Sequence, residues 1–165
     1  MIHNKVAESE LITLDLSTLL PTHTPVLFDL KPFLYRELII KEKEFRAALQ
    51  ENDWSQYAQQ DVLVFCSADS IIPVWAYMLV AVYLQPVAAD LHFDNPHTWK
   101  QKRLIHEIRH LNPASYTDKR IVIKGCGDEK IDEVAYFEIT CKLLPVVKSI
   151  MYGEPCSTVP VYKRK

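Results

Sequence analysis

With 165 residues the chain is long enough to bury roughly 70% of its extended surface, so neither disulfides nor a metal are needed to hold it folded. Its 19 Lys and Arg against 21 Asp and Glu leave a net charge of −2, which excludes an overall field that recruits nucleic acid or acidic membranes. Glu8 and Glu10 occupy the place of a secretory signal's apolar stretch, so the expectation is a cytoplasmic protein whose four cysteines are thiols or thiolates.

Apolar runs of strand length alternate with helix-length segments. In chain order the spacing predicts strands over Leu11 to Leu16 and Val26 to Leu30, a helix over Leu34 to Glu51, and a strand over Val62 to Phe65. A helix over Ser70 to Gln85, a strand over Asp90 to Phe93, and a helix over His97 to Leu111 follow. The strand Ile121 to Lys124, the helix Ile131 to Leu144 and the strand Thr158 to Tyr162 complete the series. This alternation predicts one α/β domain over residues 1–165, with a mainly parallel or mixed sheet and helices on both faces. Ser70 to Ala89 carries no charge, but Pro73 and Pro86 confine its helix to about 18 Å against a ~30 Å hydrocarbon core. It is expected as a central buried helix, with no membrane role. Pro145 should end the last helix and start a turn or short helix through Met151.

An internal echo accompanies the alternation. CSADSIIPVWAYMLVAVYLQPV from Cys66 and CGDEKIDEVAYFEITCKLLPV from Cys126 coincide, with one residue of gap, at the cysteine, an isoleucine, Ala-Tyr, a leucine and Pro-Val. Duplication and a shared recipe for strand, turn and helix explain it equally well.

All three glycines sit near cysteines: Gly125 and Gly127 bracket Cys126, and Gly153 stands three residues before Cys156. Glycine kept only there marks backbone that needs positive φ or close approach. Cys66 and Cys126 both end apolar strands, where ligands gather in α/β sheets and helix N-termini favour thiolate. Asp69 and Asp128 are expected to cap the following helices. Cys156 joins them only if the chain turns back after Pro145 and Gly153, which an antiparallel final strand favours. Three thiolates from Cys66, Cys126 and Cys156 suit Zn²⁺, with a fourth ligand from carboxylate, imidazole or water. No CxxC pair is present, and packed structural thiols are the alternative, the role also expected of Cys141.

Other signals compete. His106-Glu107-Ile108-Arg109-His110 fits the HExxH zinc-protease spacing, but Arg109 charges its interior and Asn112-Pro113 ends the helix, so a solvated face is expected. Pro155-Cys156 is similar to the entry of the deaminase zinc motif, yet Val159 stands where its second cysteine belongs. Cys66 lacks the arginine that closes a rhodanese or phosphatase loop. There is no Walker loop, no GxGxxG and no basic stripe, and Trp54, Trp75 and Trp99 are expected to pack the core.

The stretches NKVAESELITLDL, VFCSADSIIPVWAYM, VIKGCGD and SIMYGEPCSTVPVYKRK resemble a bacterial family, domain of unknown function 2480, over nearly the whole chain. The resemblance brings no established activity. It carries Cys66, Cys126, Gly153 and Cys156 within its segments and leaves His106 and His110 outside them. It also implies sulfur or iron handling, so iron or an iron–sulfur centre joins zinc among the cofactors considered. Two functions follow: a closed thiolate metal site with a protein partner, or a cysteine- or zinc-dependent enzyme of sulfur transfer, hydrolysis or deamination. The first is preferred, because no residue near the cysteines stands out as a general base.

Overall fold

The computed structural model describes residues 11–125, 127–154 and 157–165. In chain order these form β1 (Leu11–Asp15), β2 (Val26–Asp29), α1 (Glu42–Glu51), β3 (Asp61–Phe65), α2 (Val74–Leu84) and β4 (Asp90–Phe93). They continue with α3 (Pro96–His110), β5 (Arg120–Lys124), α4 (Glu133–Leu143), β6 (Ser149–Glu154) and β7 (Ser157–Lys163). The fold is α/β, as the alternation requires. Two compact units share the chain: Met1–Thr22 with Lys100–Lys165, the discontinuous unit, and His23–Trp99, the inserted unit.

The discontinuous unit has a four-stranded sheet in the order β1-β5-β6-β7, parallel except for β7, which runs antiparallel to β6. Leu14, Ile121, Ile123 and Ile150 pack there with Leu104 and Ile108 of α3 and with Ala135, Ile139 and Leu143 of α4. The inserted unit has a wholly parallel sheet, β2-β3-β4. Its core joins Phe28, Val62 and Val64 to Phe45 and Leu49 of α1 and to Ala76, Val80 and Leu84 of α2. Leu63 and Val122, which alternate with the core-facing residues of their strands, are buried too, the two-sided burial typical of parallel strands. Trp54 stacks on Phe28 and Tyr83, and Trp99 is buried, so these tryptophans pack as expected.

Four elements differ from the sequence expectation. The strands form two sheets, because β1 pairs with β5, beyond the inserted unit, rather than with β2. The first helix begins at Glu42, since Arg36 and Glu37 take positive φ and Tyr35 bridges to Ile39. The stretch after Pro145 is strand β6, whose Ile150 enters the core. Helix α2 is buried on one face only: Ala76, Val80 and Leu84 point inward, whereas Val74, Met78 and Val82 are exposed.

The units are built on one plan. Asp61 and Arg120 begin β3 and β5, Val74 and Glu133 begin α2 and α4, Leu84 and Leu143 end them, and each pair is 59 residues apart. At the same spacing, Gln59 and Asp118 both take positive φ and donate their N–H to Val87 and Val146, each at 2.9 Å. Asp53 and Asn112 cap the short 3-10 helices before β3 and β5, each accepting from the N–H two residues on. Buried Phe45 and Leu49 correspond to Leu104 and Ile108. A shared strand-turn-helix recipe does not require matching caps, turns and core positions over such a length, so the echo is a structural repeat. Its spacing needs no gap, which sets Cys126 opposite Ser67 and Gly125 opposite Cys66.

Candidate functional site

Because β1, β5 and β6 are parallel, their carboxyl ends Asp15, Lys124 and Glu154 lie at one end of the discontinuous unit's sheet. The Lys124 ammonium stands 3.3 Å from Glu154 Oε1 and 3.7 Å from Asp15 Oδ2. Asp15 Oδ1 accepts from the Ser17 N–H at 2.9 Å and its hydroxyl at 2.6 Å. Just past Lys124, Gly125 is required by a close approach: a Cβ there would collide with Tyr136 Oη. Gly153 takes φ +111°, where a Cβ would come within 2.7 Å of the Ser157 carbonyl. Beside this sheet end Ser17, Leu20, Thr22, Lys100, Gly127 and Asp128 line a hollow of about 310 Å³.

Cys126 and Cys156 lie outside the described residues. Their flanks are described: Lys124 two positions before Cys126 is paired with Glu154 two positions before Cys156. β6 runs parallel to β5, so its last residue Glu154 lies at the same sheet end as Lys124, and β7 pairs antiparallel with β6. Cys66 follows β3 in the inserted unit, half-buried, its Sγ 3.9 Å from Ser70 Oγ. Burial, and to a lesser degree charge on Cys66, pushes the Tyr77 phenol above its ordinary range. Among the described residues no three His, Cys, Asp or Glu side chains group as a metal site.

Asp69 and Asp128 do not cap helices. The N-cap positions are Pro73 for α2 and Asp132 for α4, and neither makes a side-chain cap bond, because both helices start later than the sequence implies. Cys141 is an exposed thiol rather than a packed one. His106 and His110 stand on the exposed face of α3, where His110 Nδ1 meets the His106 carbonyl at 2.8 Å and Arg109 pairs with Glu138 at 2.6 Å.

The sequence reading missed Asp15, Lys124 and Tyr136. The signal for the first was present: β1 and β2 end alike, in Asp15-Leu16 and Asp29-Leu30, with both leucines fully buried. In the inserted unit Asp29 accepts from the Ser67 N–H at 2.9 Å and hydroxyl at 2.5 Å and from the Lys31 N–H at 2.9 Å. Burial raises the Asp29 carboxyl, but the bonds from Ser67 and Lys31 together outweigh it and hold its pKa below the ordinary carboxylate range.

A family model described as "Protein of unknown function (DUF2480)" matches residues 1–164. The chain belongs to this family. No curated protein and no solved structure matches it. Family membership brings no reaction. Among the described residues no helix is long and apolar enough to cross a membrane.

Proposed function

We propose that this cytoplasmic protein holds a transition metal, zinc before iron or an iron–sulfur centre, through Cys126 and Cys156, and that the site serves binding rather than catalysis. The observation that carries the reading is the repeat. Ser67 bonds the strand-end carboxylate of Asp29, and the residues at the same positions of the discontinuous unit are Cys126 and Asp15, a thiol and a carboxylate. That pair is a metal-donor pair, and in the sequence Cys156 stands two residues after Glu154, which ends the neighbouring strand β6. Lys124 supports it, since an ammonium nearby favours thiolate over thiol and offsets the excess negative charge of a multi-thiolate zinc centre. Cys66 belongs to the thiolate set expected from the sequence and is tested separately. Glu154, the carboxylate nearest Cys156 in sequence, is engaged by Lys124, which favours a closed site over one with a poised general base.

The test is elemental analysis of untagged protein reconstituted anaerobically with Zn²⁺ or Fe²⁺. Near-stoichiometric metal is expected in the parent, lost in the Cys126→Ser, Cys156→Ser double variant and weakened by Asp15→Asn. Metal lost in Cys66→Ser would make Cys66 the third thiolate. A double variant that keeps its metal, or a parent that takes up none, overturns the reading. The enzyme alternative rests on the hollow beside Asp128: rapid alkylation by iodoacetamide of a thiol with depressed pKa would favour it.

A further inference from the structure

The repeat builds one cavity twice. In the discontinuous unit Ile123, Tyr136, Thr140, Ile150, Met151 and Tyr152 line a cavity of about 420 Å³, together with Glu133, the first residue of α4, and Val161 of β7. In the inserted unit the residues 59 positions before those six, Val64, Tyr77, Ala81, Leu91, His92 and Phe93, line one of about 340 Å³. The ring pairs match too, Tyr136 edge-on to Tyr152 at 5.6 Å and Tyr77 to Phe93 at 4.7 Å. Shape is repeated, but polarity is not. Glu133, Thr140 and Tyr152 stand where the inserted unit has Val74, Ala81 and Phe93, so three oxygen-bearing side chains take the place of three that lack oxygen. The polar exchange in the other direction is His92 for Met151, and His92 Nε2 stands 3.4 Å from Asp90 of its own strand. Folding does not require the added oxygens. A carboxylate in the first turn suits a helix N-terminus, yet α2 forms with Val74 at that position. Among the described residues Glu133 is the only charged side chain of its cavity and has no ion-pair or hydrogen-bond partner.

We propose that the discontinuous unit's cavity binds a small organic cation, a protonated amine on an apolar body. Its volume is that of a small-molecule site, and Ile123, Ile150, Met151 and Val161 supply walls for the body. Charge selects the head group. Glu133 pairs with an ammonium, and the rings of Tyr136 and Tyr152, set at 82° to one another, add the attraction of aromatic faces for a cation. Thr140 Oγ1 donates to the Tyr136 carbonyl at 2.7 Å and keeps lone pairs that can accept an ammonium N–H. An anion would meet the like charge of Glu133 with no cation in the lining to offset it. The inserted unit, with Val74 in place of Glu133, is the built-in control. This proposal is independent of the metal reading, since none of its residues is a proposed metal ligand.

Titration of the full chain with phenethylammonium chloride, followed by methyl and amide NMR, tests this, with phenylacetate and benzyl alcohol as probes of opposite and of no charge. The ammonium should shift Ile123, Thr140, Ile150 and Met151 to saturation and bind about threefold or more tighter than benzyl alcohol, and phenylacetate should not bind. Glu133 is exposed, so Glu133→Gln should fold as the parent does. It should weaken the ammonium about threefold or more and leave benzyl alcohol unchanged, a split that a merely structural role would not give. Thr140→Ala with Tyr152→Phe, which copies the inserted unit's lining, should weaken the ammonium further, and Val74→Glu should leave its affinity unchanged. Absence of shifts at the four residues, equal binding of ammonium and phenylacetate, or a Glu133→Gln protein that binds the ammonium as tightly as the parent overturns the proposal. Equal shifts at Val64 and Leu91 also overturn it, because they would mark adventitious entry into any apolar cavity.

Discussion

Gly125 and Gly153 are constrained for different reasons, and substitution separates them. At Gly125 the obstacle is the Tyr136 hydroxyl, so Gly125→Ala should destabilise by about 1–3 kcal/mol, and Tyr136→Phe should recover most of the loss in denaturant titration. At Gly153 the obstacle is backbone, the Ser157 carbonyl, together with φ +111°. Gly153→Ala should cost more than about 1 kcal/mol, and removing neighbouring side chains should not restore it. Asp29 gives a pH dependence with a definite sign. Its folded-state pKa lies below its ordinary value of 3.8, so its contribution to stability is present above that value and lost as pH falls through the folded pKa. Ser67→Ala removes the hydroxyl bond, first among the lowering contributions, and leaves the N–H bonds, so the Asp29 carboxyl resonance should titrate at higher pH and the acid end of the stability profile should flatten. An unchanged titration would assign the lowering to the backbone N–H groups of residues 31 and 67 and the Lys31 charge.

At the scale of elements, residue pattern recorded the strands and missed where helices begin. Val62, Val64, Ile121 and Ile123 announce β3 and β5 because parallel strands buried on both faces read as unbroken apolar runs. Asp69 and Asp128 look like caps, but α2 starts behind Pro73 and α4 behind Asp132, after loops whose course side-chain preference does not reveal. β6 was hidden because Pro145 announces only the end of a helix, and its Ile150 becomes core through pairing with β5, a contact distant in sequence. Of the candidate site only part could be read from the sequence, and its Cys126 and Cys156 lie outside the described residues. Glycine placement marked Cys126 and Cys156, whereas Asp15 and Lys124 acquire meaning only when β1 is seen beside β5, across the 77 residues of the inserted unit from His23 to Trp99.

For the whole molecule, the repeat makes a prediction about cooperativity. Each unit owns a separate core, Phe45 with Leu49 and Val80 in one and Leu104 with Ile108 and Ile139 in the other. Phe45→Ala and Ile139→Ala should each cost about 2–5 kcal/mol, since both remove large buried side chains. The place of the loss should differ. Native-state hydrogen exchange should show Phe45→Ala lowering protection first in β2, β3 and β4, and Ile139→Ala first in β1, β5 and β6, because a cavity weakens the cluster that lines it before the rest. Equal loss everywhere from either variant would show that the two cores open as one cooperative unit. Metal adds a directional check, since a ligand bound only by the folded state stabilises the unit that carries it. Loading should then raise protection in β1, β5 and β6 above that in β2 to β4 if Cys126, Cys156 and Asp15 are the ligands. Equal gains in both sheets would count against that ligand set.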